Sequence, residues 1–521
     1  MPINIGMLQF GEADAKNEIF QQNRYGSSVF MNSFQIPPRV KLDDLILGAR
    51  FFISGQKGCG KTALLLFVRN KLTENGANTN TVLFKTGISE AERAKLATGG
   101  DFEIIRIGND ISVQYDYTTN WLWFIYKNLL RLLNIDDVIS NKEVADDLKR
   151  LIGVYNETRP TSFSDLSISK IKAAAKAGIK TGIFTGQINA EVQAIHDEND
   201  DRKPIEIIEI IEKYLCDVQL KTRKRCALFF DELELFWNRP DQRERDLFLI
   251  RDLLQSVARV NRALGAKSAS FVVYASVRSE VLEEVNRVGP EIVRDINDFG
   301  VSVSWNVKGT SENQPILNIV SAKINNSEIE NDEIPSDNVW DVYFNEKLHG
   351  KNIKDYLLDT SMFKPRNIIN MLNLAKKYDP ENSFFTKESF EETSIEFSQA
   401  VWREIEEELL GSYDSRKISN LKAILTGFSP SFTVIDLEAR VQKLKKTDPS
   451  LANGFNTRPE IVDICRALYR VGAAGNFFNV KTESGLLRKR DRWSFRDMGE
   501  PTIDEKFIIH ASLRKVFQIP N

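Results

Sequence analysis

The chain has 521 residues, and at about 150 residues per domain that points to roughly three domains rather than one. Hydrophobic residues make up 42% and charged residues 27%, as in soluble globular proteins with sizeable cores, and a net charge of −3 excludes a global field that would draw the chain to nucleic acid or an acidic membrane. Cys59, Cys216, Cys226 and Cys465 show no paired metal-ligand spacing and suit the reduced thiols of a cytoplasmic protein; no apolar run is long enough to cross a bilayer, and Met1-Pro2-Ile3-Asn4 has no signal-peptide layout.

In chain order, residues 8–50 begin with a predicted helix from Phe10-Gly11-Glu12-Ala13-Asp14-Ala15. Apolar Val29, Phe30, Met31 and Phe34 follow, then a break at Pro37-Pro38 and a short helix over 41–47. In nucleotide-binding folds such a lead-in lies over the base; packing against the sheet is the alternative.

Phe51-Phe52-Ile53-Ser54 reads as a buried strand, Gly55-Gln56-Lys57-Gly58-Cys59-Gly60-Lys61-Thr62 as a glycine-rich turn and Ala63-Leu64-Leu65-Leu66-Phe67-Val68 as a helix. Gly55, Gly60, Lys61 and Thr62 fill the phosphate-loop pattern G-x-x-x-x-G-K-[ST], with the strand before and the helix after that the motif requires. Glycines let the backbone curl with its N–H groups inward, because a Cβ would obstruct positive φ. Those donors and the helix N-terminus make a nest for polyphosphate, so residues 55–63 are the candidate ATP site. Lys61 is placed to reach the β- and γ-phosphates, and Thr62 to put its hydroxyl on Mg²⁺.

Thr81-Val82-Leu83-Phe84-Lys85 reads as a second strand, and Tyr117–Leu133 as an apolar helix whose Trp121, Trp123, Phe124 and Tyr126 pack in a core rather than stack on a ligand. Residues 136–200 form an insertion in which Lys170, Lys172, Lys176 and Lys180 mark a solvated face or, alternatively, a cationic surface. A helix over 204–217 follows. Cys226-Ala227-Leu228-Phe229-Phe230 is a buried strand that ends in Asp231-Glu232. A parallel strand carries such a residue to the phosphate loop, so Asp231 is the candidate Mg²⁺ ligand and Glu232 the candidate base for the attacking water. Two acids after a strand could instead open a helix. With a phosphate loop upstream, the catalytic reading is preferred.

Leu247–Leu264 is a helix rich in arginine, and Phe271–Ser279 a further apolar strand. Ser276 and Arg278, near its end, are candidate sensors of the γ-phosphate or else strand-end caps. Val301–Asn306 alternates as a half-exposed edge strand does. Five strands with helices between them predict a doubly wound parallel α/β sheet.

Beyond residue 310 the chain turns helical, with Ile316–Ile324 and Lys351–Leu358 flanking an acidic loop at 328–338. Pro365 suits a helix start, which puts Arg366 in the first turn, where a cation is misplaced against the helix dipole unless an anion lies nearby. Either bound nucleotide or a local acid supplies that anion. Helices over 387–410, 415–427, 433–446 and 459–471 precede short strands at Phe477–Val480 and Arg492–Arg496, an order that suggests a winged helix with Arg488-Lys489-Arg490 on the wing. The expected division is an ATPase core over 1–310, a helical lid over 311–384 and a winged-helix-like domain over 385–521.

This motif set resembles bacterial P-loop ATPases related to the STAND, KAP and origin-recognition branches of the AAA+ group. The resemblance rests on Gly55–Thr62, on Leu228–Glu232 before a long helix, on Val273–Ser279, on Lys364-Pro365-Arg366 and on Phe10–Ala15. It implies a P-loop NTPase fold, ATP-dependent switching in a homo-oligomer, and Arg366 as the lid arginine. It also implies a part in defence against phage or mobile DNA beside a separate effector protein. Arg239, Arg243, Arg245 and Arg294 are candidates for an arginine finger, and none stands out. A DNA-handling motor using the terminal wing and a nucleotide-ordered scaffold with little turnover are the competing readings.

Overall fold

The computed structural model describes residues 2–25, 29–97, 101–107, 110–151, 204–235, 240–267, 270–344, 347–348, 350–481, 487–496 and 499–520. Most of the insertion expected over 136–200, including Lys170, Lys172, Lys176 and Lys180, lies outside the described residues. The chain forms two compact units. The sheet unit holds Arg39–Gln56 and Lys61–Val303; the helical unit holds Met1–Pro38, Lys57–Gly60 and Ser304–Asn521. The limits expected from sequence, at 310 and 384, stand beside junctions at 38/39, 56/57, 60/61 and 303/304.

The sheet unit is built on strands β1 (Phe52–Gly55), β2 (Asn78–Leu83), β3 (Cys226–Leu233), β4 (Phe271–Arg278) and β5 (Gly300–Ser302), in the order β2-β3-β4-β1-β5, every neighbouring pair parallel. β3 and β4 are buried almost throughout, which is why they read as continuous apolar runs rather than alternating ones. Helix α1 (Lys61–Glu74) follows β1, its Leu64–Val68 run buried. Helix α2 (Thr118–Leu132) presses Trp121 edge-on against Phe230 of β3, ring centroids 5.9 Å apart, and the Trp121 Nε1 donates to the Leu249 carbonyl at 2.9 Å in helix α3 (Pro240–Gly265). The aromatics of α2 are core residues.

Two boundaries differ from expectation. The second strand runs over Asn78–Leu83, not 81–85, because Phe84 starts a one-turn helix, Phe84–Gly87, that buries its ring beside Trp121. The edge strand stops at Ser302, since β5 pairs with β1 alone and β1 ends at Gly55.

Residues 2–38 belong to the helical unit and not, as expected, to the unit of the sheet. Ile3, Ile5, Leu8 and Phe10 join an apolar cluster with Tyr343, Phe344, Phe385 and Trp402. Helix α4 (Pro365–Tyr378) begins with proline at its first position, as its sequence implies, and helix α5 (Ser394–Leu409) follows. Capping boxes, Thr433 with Asp436 and Thr457 with Glu460, start the helices Val434–Lys445 and Arg458–Arg470. They lead to an antiparallel sheet of β6 (Ser431–Phe432), β7 (Ala474–Lys481), β8 (Leu487–Arg492) and β9 (Lys506–Ile509), in the order β6-β9-β7-β8. The strand expected over 492–496 is instead β8, and Ser494–Arg496 form a turn. The basic run 488–490 therefore lies along an edge strand, where charge discourages pairing with other chains.

The four cysteines form no disulfide; burial pushes the Cys226 and Cys465 thiols up to about 12, well out of the thiolate range. Among the described residues no helix is long and apolar enough to cross a membrane.

Candidate active site

Within the sheet unit the site is assembled at the C-terminal ends of parallel strands, where such sheets collect their ligands. β1 ends at Gly55 and α1 starts at Lys61. The Lys61 ammonium donates to the carbonyls of Gly55 and Gln56, both at 2.9 Å, and so rests on its own loop. Thr62 and Ala63 stand in the first turn of α1, and the Thr62 hydroxyl donates to Oδ2 of Asp231 at 2.9 Å. Asp231 is 3% exposed.

β3 is irregular at this point. Phe230 pairs with Ala275 and Leu233 with Val277, so β3 has one residue more than β4 between the two pairings. The extra residue falls at Asp231-Glu232, and Glu232 takes φ = +59°, a left-handed conformation uncommon for a non-glycine residue. Such a bulge re-aims side chains. The Glu232 carboxylate accepts from the Thr86 backbone N–H at 2.9 Å and from its hydroxyl at 2.6 Å.

Register with β1 sets Ser276 beside Ile53 and Arg278 beside Gly55. The Arg278 guanidinium pairs with Glu234, which also accepts from the Lys85 ammonium at 2.8 Å. Glu234 thereby joins the exits of three adjacent strands, β2, β3 and β4. Ser276 is 1% exposed, and its hydroxyl has no hydrogen-bond partner among the described residues.

The middle of the glycine loop, Lys57–Gly60, counts with the helical unit. Gly58 and Gly60 have φ of +76° and +99°, which a side chain would strain. The Arg366 backbone N–H donates to the Gly58 carbonyl at 3.4 Å, and the Trp305 indole N–H to the Cys59 carbonyl at 2.7 Å. Lys57 pairs with Glu407. The Arg366 side chain takes the local acid, Glu404 at 3.4 Å, and its Nε donates to the Ala13 carbonyl at 2.9 Å.

Of the candidate finger arginines, Arg243 pairs with Glu284 at 3.0 Å, Arg245 pairs with Glu90 and Asp246, and Arg294 is exposed; Arg239 lies outside the described residues. Sequence reading missed Thr86, Glu234, Lys85, Trp305 and the three glutamates 404, 407 and 408. Only the last had a visible signal, the run Glu404-Ile405-Glu406-Glu407-Glu408.

Residues 314–406 match the family described as the FunZ-associated C-terminal helical domain, and that stretch is helical here, with α4 and most of α5. The comparison with curated proteins gives no match. A solved structure titled "Structure of Drosophila ORC bound to DNA" aligns with 98% of this chain and 87% of its own, at 9% identity and a TM-score of 0.26, too loose a likeness to carry an argument.

Proposed function

We propose that this chain binds ATP with Mg²⁺ at Gly55–Thr62 and hydrolyses it, and that the nucleotide cycle switches a homo-oligomeric bacterial defence or signalling complex that acts with a separate effector protein. The observation that carries the reading is the Thr62–Asp231 hydrogen bond of 2.9 Å, which joins residues 169 positions apart at the start of the helix that Lys61 opens. The donor set suits the ion. Among the described residues no group of three or more His, Cys, Asp or Glu could hold a metal. One hydroxyl and one carboxylate are what Mg²⁺ uses when water and phosphate oxygens complete its shell.

In this reading Lys61 and the loop N–H groups bind the phosphates, and Thr62 and Asp231 hold Mg²⁺. Glu232 orients and deprotonates the attacking water, while Ser276 and Arg278 serve the γ-phosphate end. Arg366 is a further candidate for binding phosphate. Bound Mg²⁺ would supply charge neutralisation. The defence role rests on the resemblance of motifs.

Phosphate release and nucleotide binding by the purified chain test it. Lys61→Ala should abolish both. Glu232→Gln should bind Mg·ATP and release phosphate at least about 100-fold more slowly, the usual contribution of a positioned base. Binding that survives Lys61→Ala overturns the site, and full turnover in Glu232→Gln overturns the base. Binding without measurable phosphate release in the native chain would favour an ATP-ordered scaffold.

A further inference from the structure

Three glutamates on one face of α5 meet three cations around the glycine loop, all within the helical unit. Glu407 pairs with Lys57, the lysine inside the loop, which is 6% exposed. Glu408 pairs with Lys364 at 3.3 Å, both side chains buried, and Glu404 pairs with Arg366 at 3.4 Å. Positions 404, 407 and 408 are spaced i, i+3, i+4, which aligns them along the helix. Lys364 and Arg366 border the loop closely: a Cβ on Gly58 would stand 3.5 Å from the Arg366 Cβ and 3.6 Å from the Lys364 Cδ.

Cations gathered against a glycine loop attract polyphosphate, yet here each already has a carboxylate. A buried cation is costly without a counter-ion, and the glutamates supply one to Lys57 and Lys364 when no phosphate does. Three carboxylates thus face three cations on this side of the loop. Resting on the reading of Gly55–Thr62 as an ATP site, we propose that Glu404, Glu407 and Glu408 are positioning residues that set nucleotide affinity. They hold Lys57, Lys364 and Arg366 in place, and the triphosphate binds by competing with them for these cations. The comb weakens ATP binding and keeps it readily reversible.

The test is equilibrium binding of a fluorescent ATP analogue with Mg²⁺ to the full chain. Glu407 and Glu404 are the residues to change, because the Glu407 side chain is 58% exposed and the Glu404 side chain 22%, whereas Glu408 is buried at 6%. Glu407→Gln and Glu404→Gln should each tighten Kd about two- to fivefold, the range an ion pair of this exposure spans, and the double variant should tighten it further. The affinity of the variants should fall more steeply with salt than that of the native chain. Glu404→Asp and Glu407→Asp keep the charge and should restore the native Kd, a rescue that a purely structural role would not show. Unchanged or weaker binding by variants that melt cooperatively at the native temperature overturns the inference while the ATP site stands. No binding by the native chain, or equal binding by Lys61→Ala, overturns the ATP reading itself and this inference with it.

Discussion

Thr86 holds the Glu232 carboxylate with two donors on a single oxygen, its backbone N–H at 2.9 Å and its hydroxyl at 2.6 Å. These two bonds tether the carboxylate and turn it toward Thr86.

Thr86→Val removes the hydroxyl and keeps the shape and the N–H. The expected outcome is single-turnover ATP hydrolysis raised roughly threefold to tenfold, about 1 kcal/mol in barrier, with nucleotide affinity unchanged. A slower rate would show that the hydroxyl holds Glu232 in its working position instead.

Ser276 combines 1% exposure with a hydroxyl that has no hydrogen-bond partner among the described residues. A buried polar group without a hydrogen bond costs stability, so Ser276→Ala should leave the melting temperature unchanged or raise it by a few degrees. If the hydroxyl serves the γ-phosphate, the same variant should lose about tenfold or more in kcat. A variant equally stable and equally active would remove Ser276 from the site.

Glu234 ties Lys85 and Arg278 across three strand exits. Glu234→Gln removes the carboxylate that the two cations share, while Arg278 keeps its longer pair with Glu280 at 3.6 Å. We expect a loss of about 1 kcal/mol, which for a unit of this size lowers Tm by about 2–4 °C. A calorimetric scan checks it, and the fall should be smaller in high salt, where repulsion between the cations is screened.

His510 gives the helical unit a pH dependence. Its ring is buried against Trp493 and Phe495, and its Nδ1 accepts from the Ser512 N–H. Burial, and then the nearby Arg496, Lys364 and Arg514, lower its pKa to about 3. The unfolded chain takes up a proton near pH 6.5 and the folded one does not until about 3, so the unfolded state binds more protons in between. Stability should be at its plateau above pH 6.5 and fall by up to about 1.4 kcal/mol per pH unit below it. Urea midpoints from pH 7 to pH 4 measure this, and His510→Gln should flatten the difference.

Much of the fold was legible because its signals are local. The strand–glycine–helix pattern at 51–68 depends on adjacent residues: apolar types for a buried strand, glycines where φ is positive, a helix former after them. The same holds for β3 and β4, whose unbroken apolar runs announce central parallel strands, and for the start of α4 at Pro365. Boundaries were lost where burial overrode pattern, as at Phe84, which turns into the core and ends its strand early.

By itself, the sequence determined which segments become strands and helices, and that a glycine loop carrying Lys61 and Thr62 joins the first of them. Tertiary structure decided which distant side chains those segments meet. Thr62 finds Asp231 across 169 residues, Glu232 finds Thr86 across 146, and Lys57 finds Glu407 across 350. Periodicity reports which way a side chain faces along its own element. The partner across the gap follows from sheet order, from one extra residue in β3 and from the face α5 turns to the loop, and these are settled only when the whole chain has packed.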